Sequence, residues 1–175
     1  EGKELSEDKP IKVLEPLQGE IMVYPLSQHI GAPAKPLVAK GDHVLKGQII
    51  AEAGGFISAN VLSSVSGTVK GIESKLVANG AMVQSILVEN DGEEEAIEGF
   101  GTDRDASKLS KEEIRQIVKD AGIVGLGGAG FPTHVKLTPK DENAIDYVIV
   151  NGAECEPYLT SDYRTMIERP EQIIG

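Results

Sequence analysis

The chain has 175 residues, 40% of them hydrophobic, and a formal net charge of −11. That length holds one sizeable domain or two small ones with a real core, and the acidic balance excludes a polyanionic partner such as nucleic acid, which is met by clustered Lys and Arg. No apolar run approaches the roughly 18 residues that span a bilayer, and the opening EGKELSEDKPIK lacks the basic-then-apolar order of a signal peptide, so no direct membrane insertion is expected.

The first half is punctuated by glycine. The stretch KPLVAKGDHVLKGQIIAEAGGFISANVLSSVSGTVKGIE has turn signals every few residues and no window of helical periodicity, which predicts an all-β unit. Within it Gly41-Asp42-His43-Val44 is echoed by Gly80-Ala81-Met82-Val83, as if two similar hairpins were related by pseudo-symmetry. The composition then changes. ENDGEEEAIEGFGTDRDAS is acidic and glycine-rich with almost nothing apolar, the pattern of a solvated connector, and Glu93 to Glu95 read as its solvent face.

A well-marked helix opens the second half. Ser110 and Glu113 form an S-x-x-E capping box, and Leu109 and Ile114 are spaced for a hydrophobic staple. Ile114, Ile117, Val118 and Ala121 share one face before Gly122 closes the helix. GLGGAGFPTHVKL follows, with Pro132 suited to the first turn of another helix. Beyond it, Tyr147 to Val150 is a short apolar run rich in β-branched residues, which predicts a buried parallel strand ending in the polar turn NGAECEP. Open α/β sheets hold their ligands where a strand gives way to such a turn.

The bare backbone between Gly125 and Gly130 has two readings of equal weight on spacing alone. One is a tight connector. The other is an anion or nucleotide cradle, with successive N–H groups converging on a phosphate beside a helix end and Lys136 supplying countercharge. Neither common template fits: the phosphate loop needs G-x-x-x-x-G-K-[ST], and the dinucleotide fingerprint follows a strand, whereas a helix precedes this loop.

GLGGAGFPTHVK followed by VIVNGAECEP resembles the paired signature of the flavin-binding family that includes the NADH-oxidising subunit of respiratory complex I and the RnfC subunit of the Rnf electron transport complex. Asp162 and Pro170 in SDYRTMIERPEQIIG fall where that family has them. In the first half, PLSQHIGAPAKPLVAKGDHVLKGQIIAEA and SSVSGTVKGIE look like the amino-terminal domain of RnfC, a barrel-sandwich hybrid related to biotinyl and lipoyl carriers. The resemblance implies an α+β, multi-domain chain: a barrel-sandwich hybrid over 1–95, a linker over 96–108, and the first part of an α/β FMN-binding domain of the complex I 51 kDa type over 109–175.

It also implies a site. FMN would lie over the glycine loop with NADH stacked on its face, and Gly125, Gly127, Gly128 and Gly130 along the flavin and dinucleotide. Phe131 would flank the nicotinamide nucleotide, Lys136 would reach the flavin, and Asn151, Glu154 and Glu156 would form a polar floor, with Glu156 near the nicotinamide ribose. No residue here is assigned as catalytic or as a metal ligand. Hydride would pass between NAD(H) and FMN, with single electrons leaving to 4Fe-4S clusters in a cysteine-rich region beyond residue 175, so the chain is expected to be a fragment that is inactive alone. The implied whole is a ferredoxin:NAD+ oxidoreductase coupled to Na+ or H+ transport. This subunit would lie peripherally on the cytoplasmic face of the inner membrane, beside the other Rnf subunits and linked to ferredoxin through the complex.

Departures narrow the resemblance. Leu126 stands where complex I subunits and soluble diaphorases have arginine, and Ala153 where they have aspartate, which sets those subfamilies apart. Asn60 and Leu62 stand where relatives often have Pro and His. No lysine lies between Ala51 and Thr68, so a carrier role for the first domain fails and it reads as a docking or spacer module. The alternatives are a microcompartment cobalamin reductase of the same family and a non-catalytic assembly module.

Other chemistry-bearing residues read more plainly. Cys155, the one cysteine, cannot form an intramolecular disulfide and sits between two carboxylates that disfavour its thiolate. His134 has two readings, a phosphate contact and, in preference, a helix-surface residue; His29 and His43, among turns without metal spacing, read as structural. Glu154 and Glu156 have a bland reading too, as helix caps or backbone acceptors.

Overall fold

The computed structural model describes residue 6, residues 8–126 and residues 128–174. It divides into two compact units, Pro16–Lys140 and a second made of Glu1–Glu15 with Asp141–Gly175.

The first unit is built on seven strands: β1 (Ile21–Pro25), β2 (Lys35–Pro36), β3 (His43–Val44), β4 (Ile49–Glu52), β5 (Val61–Leu62), β6 (Gly67–Leu76) and β7 (Met82–Asn90). One sheet has the order β1-β7-β6-β3 and the other β2-β4-β5, with every pairing antiparallel. The expected all-β unit is therefore present. Register follows burial, with Tyr24 opposite Ile86 and Val69 opposite Val88. Val44, Ile50, Val65, Ile86 and Val88 are wholly buried in the core, and each such side chain contributes about 1.5–3 kcal/mol of transfer free energy.

The paired glycine turns also hold. Gly41 and Gly80 both adopt left-handed backbone, at φ 97° and 82°, and lead into β3 and β7, the two neighbours of β6. The acidic connector is exposed as expected, but its start is pinned to the barrel. Lys46 pairs with the Glu94 carboxylate, its N–H donates to the Glu95 carbonyl, and its carbonyl accepts from Ile97 N–H.

Helix α1 (Lys111–Asp120) forms as its caps predict. Ser110 Oγ accepts from Glu113 N–H at 3.2 Å, and the Glu113 carboxylate accepts from Ser110 N–H at 2.8 Å. At the other end Gly122, at φ 63°, donates to Lys119 O while Ile123 donates to Val118 O, closing a Schellman motif. Its apolar face is only partly covered: Ile117 and Val118 are half-buried, while Ile114 and Ala121 are exposed. Helix α2 (Thr133–Lys136) is one turn only, with Pro132 at the N-cap instead of the first helical position, so the dipole expected at the end of the glycine loop shrinks to that of a single turn.

The second unit carries helices α3 (Ser161–Glu168) and α4 (Pro170–Ile174). Ser6 Oγ lies 2.9 Å from Thr160 Oγ1, and Ile11 N–H reaches the Glu168 carboxylate at 3.1 Å. The strand predicted at Tyr147 to Val150 is not formed. Val148 and Ile149 are 90% and 87% exposed. The physical reason is the lack of a partner: no strand occurs among the described residues of this unit, and a lone extended segment cannot satisfy its backbone or bury both faces.

Candidate functional site

The glycine segment closes on itself. Val124 and Pro132 form an antiparallel bridge, Gly125 N–H donates to Phe131 O at 2.9 Å, and Thr133 N–H donates to Ile123 O at 3.0 Å. The Gly125 amide is thus spent in the neck of the loop. The expected convergence of every glycine N–H on an anion does not extend to it.

The described glycines divide by what their surroundings demand. Gly130 takes φ 65°, and a Cβ there would lie 2.7 Å from Gln28 O. The chain itself requires glycine at that position. Gly125 and Gly128 have no such need: neither takes a positive φ, a Cβ at Gly125 would first meet an atom at 3.8 Å, and one at Gly128 would meet none within 4 Å. Nothing among the described residues requires glycine at either position. Gly127 lies outside the described residues.

Around the loop, Leu126 is 94% exposed, Phe131 is half-buried, and Lys136 is exposed at the last residue of α2. Burial, and secondarily the Lys119 charge, hold the His134 imidazole below its ordinary range. A neutral ring is the result at pH 7.

In the other unit, the NGAECEP turn has its own order. Asn151 Oδ1 accepts from Ala153 N–H at 3.0 Å, an Asx turn. Glu154 Oε1 accepts from Tyr163 N–H at 3.0 Å, and Oε2 stands 3.5 Å from Ser161 Oγ, so this carboxylate caps the start of α3. Glu156 is exposed. Asn151 also lines, with Val150, Asp162 and Met166, a hollow of about 450 Å³. Gly125 to Lys136 belong to the first unit and Asn151 to Glu156 to the second.

This donor set fits a flat, anionic cofactor. Gly125 and Gly128 leave side-chain space empty without internal cause, a lysine stands nearby in sequence, and a half-buried phenylalanine adjoins them. FMN needs such a surface: room for a ring on one side and countercharge for a phosphate. Among the described residues no group of three or more His, Cys, Asp and Glu is placed to hold a metal, and no helix is long and apolar enough to cross a membrane.

Sequence reasoning missed the segments beneath the loop. Ile30 N–H donates to Ala129 O at 3.1 Å, and Asn60 ties Ala53 N–H, at 2.9 Å, to Asp120 O, at 3.4 Å. A Cβ at Gly122 would lie 2.4 Å from Asn60 O and 3.0 Å from the Leu62 side chain. Asn60 and Leu62, the two departures noted in the hairpin, therefore sit under the end of α1. Only the local polar and small character of SQHIGAP marked its turn in the sequence.

Comparison with known proteins gives two family matches: the RnfC barrel sandwich hybrid domain over residues 1–93 and the Nuo51 FMN-binding domain over residues 118–175. The chain is 45% identical over 175 residues to the subunit designated C in the proton-translocating ferredoxin:NAD(+) oxidoreductase complex of Clostridium ljungdahlii, covering 100% of this chain and 38% of that one. It is 45% identical over 158 residues to the subunit of the same designation in the Na(+)-translocating complex of Acetobacterium woodii, covering 89% and 35%. To its counterpart in the ion-translocating oxidoreductase complex of Pseudomonas aeruginosa it is 42% identical over 176 residues, covering 99% and 22%. The chain spans less than two fifths of each of these relatives. With a barrel-sandwich hybrid followed by a 51 kDa-type FMN-binding domain, it belongs to the RnfC family.

Proposed function

We propose that this chain is the electron-input portion of the RnfC subunit in an ion-translocating ferredoxin:NAD+ oxidoreductase, a peripheral component on the cytoplasmic face of the membrane. One observation carries the reading most directly: Gly125 and Gly128 are bare without any internal requirement. A ligand surface explains that, and the FMN-binding family match over 118–175 names its class.

Bound FMN would exchange a hydride with NAD(H) and hand single electrons to iron–sulfur clusters held elsewhere in the full-length subunit. This chain's own residues supply position and charge. The missing side chains of Gly125, Gly127 and Gly128 would let a ring approach closely, Phe131 would flank the nicotinamide nucleotide, and Lys136 would offset negative charge. Gly130 holds the loop's return. Asn151, Glu154 and Glu156, in the second unit, are the residues the reading assigns to a polar floor; within that unit Glu154 caps α3, which orients its carboxylate. The names of the relatives divide between proton and Na+ coupling. The other subunits of the complex are the expected partners, with ferredoxin reached through them.

Titration of the full-length protein with FMN and then NADH tests this. Stoichiometric quenching of flavin fluorescence and bleaching by NADH are expected. Absence of both would identify a non-catalytic assembly module instead. Residues 1–175 alone are expected to bind FMN weakly or not at all, and flavin co-purifying in equal amount with them would contradict that.

A further inference from the structure

His29 belongs to the barrel, is 8% exposed, and has both ring nitrogens engaged. Ala59 N–H, which can only donate, lies 3.1 Å from Nε2. The Ile30 carbonyl, which can only accept, lies 3.0 Å from Nδ1. One arrangement satisfies both: a neutral ring with its proton on Nδ1. Ile30 is thereby held at its carbonyl by the ring, while its N–H donates to Ala129 O at 3.1 Å. The next residue of the glycine loop is seated on the same turn, since a Cβ at Gly130 would fall 2.7 Å from Gln28 O and 2.9 Å from His29 Cα.

The turn has a stiff backing. Ala32 N–H donates to Ile57 O at 3.0 Å, Ser58 Oγ donates to Ala32 O at 2.8 Å, and Gly54 N–H donates to Ser58 Oγ at 2.9 Å. A Cβ at Gly31 would lie 2.1 Å from Ile57 O, so the two barrel segments touch backbone to backbone. Ser58 itself is fully buried.

We propose that His29 is a positioning residue: through the turn Gln28 to Ile30 it fixes the height of the glycine loop, and the barrel is the rigid seat of the flavin loop instead of a spacer. The structural half of this stands on contacts within one unit. Its consequence for flavin rests on the FMN reading above.

The test uses the full-length protein with His29→Leu, which removes both ring hydrogen bonds, and His29→Gln, whose Oε1 can replace the Nε2 acceptor. Val65→Ala, in the barrel core, lowers stability without touching the turn. Amide hydrogen exchange is followed without flavin across residues 28–31 and 124–131, and FMN affinity is measured separately. His29→Leu should raise exchange in both segments and weaken FMN by about tenfold or more, since two buried hydrogen bonds are lost. His29→Gln should restore both, and Val65→Ala should move neither. Unchanged exchange at 124–131 in His29→Leu overturns the proposal, as does faster exchange with unaltered FMN affinity, or an equal response from Val65→Ala. If His29→Leu does not fold, His29→Asn, which is too short to replace Nε2, carries the same comparison. Should the wild-type protein bind no FMN, the flavin reading fails, while the exchange data still decide the seat.

Discussion

A Cβ on Gly130 would stand 2.7 Å from the carbonyl oxygen of Gln28. A residue of the glycine loop is thus fixed by the barrel, and the loop's glycines separate into one the fold needs and others it does not. Gly130→Ala should destabilise the first unit. The left-handed backbone alone costs an L-residue about 1–2 kcal/mol, and the contact with Gln28 adds to it. Gly128→Ala should leave stability within about 0.5 kcal/mol of wild type, as at an ordinary surface site. In the full-length protein, however, it should weaken FMN by about ten- to a hundredfold, because an added methyl enters the ligand's space at an overpacking cost of about 1–3 kcal/mol. Urea denaturation and flavin titration of both variants check this. Equal FMN affinity in Gly128→Ala and wild type would remove the main support for the site.

Glu154 offers a sharper division of roles. Glu154→Gln keeps a carbonyl acceptor for Tyr163 N–H, so α3 should persist, while the negative charge is lost. If the carboxylate also meets the dinucleotide, KM for NADH should rise by about tenfold or more, the weight of a charge-assisted hydrogen bond. Glu154→Ala should in addition fray α3 by about 1 kcal/mol, the usual cost of a lost cap. Steady-state kinetics with circular dichroism separates the two effects. An unchanged KM in Glu154→Gln would leave that residue a cap alone.

The parts of the fold that local chemistry decides were legible in the residues. Ser110, Glu113 and Gly122 carry both ends of α1 in their own hydrogen bonds, and Gly41 and Gly80 carry their turns in their own dihedrals. What depended on distant partners was not. Tyr147 to Val150 has a strand's composition, but a strand forms only against neighbours. Pro132 looked like the start of a longer helix, yet α2 ends at Lys136 after one turn, with Pro139 three residues beyond its end. At the site, the sequence marked the glycine loop but not which glycines the fold requires, because Gln28 lies far from Gly130 in sequence and only folding brings its carbonyl there. Likewise His29 read as structural, and nothing in its neighbours showed that Ala59 and Ile30 would fix its tautomer.

His134 provides a pH test. Its imidazole is held below the ordinary value of 6.5, first by burial and then by the Lys119 charge, so the folded protein binds that proton more weakly than the unfolded chain. The contribution to stability is therefore complete above 6.5 and is lost as pH falls through that value toward the folded one. A nuclear magnetic resonance titration of the ring should give a midpoint below 6.5. Lys119→Gln should recover the smaller part of the shift, since burial is the larger cause. A midpoint at or above 6.5 would instead place a charged imidazole beside the loop at mildly acid pH.

The unformed strand gives the last test. Ile149 is 87% exposed, so Ile149→Asp in residues 1–175 should alter the midpoint of thermal unfolding by no more than an ordinary surface change, about 0.5 kcal/mol. In the full-length subunit, under the FMN-domain reading, the same run lies in a parallel sheet, and a carboxylate there enters an apolar interior. The loss should then reach several kcal/mol, with a fall in bound FMN, because the turn from Asn151 to Glu156 continues directly from that strand. Comparing the two lengths isolates the missing partner strands from any intrinsic effect of the substitution. If both tolerate aspartate equally, the YVIV segment stays outside the sheet in the longer chain as well, and the polar floor loses the element that would carry it to the flavin.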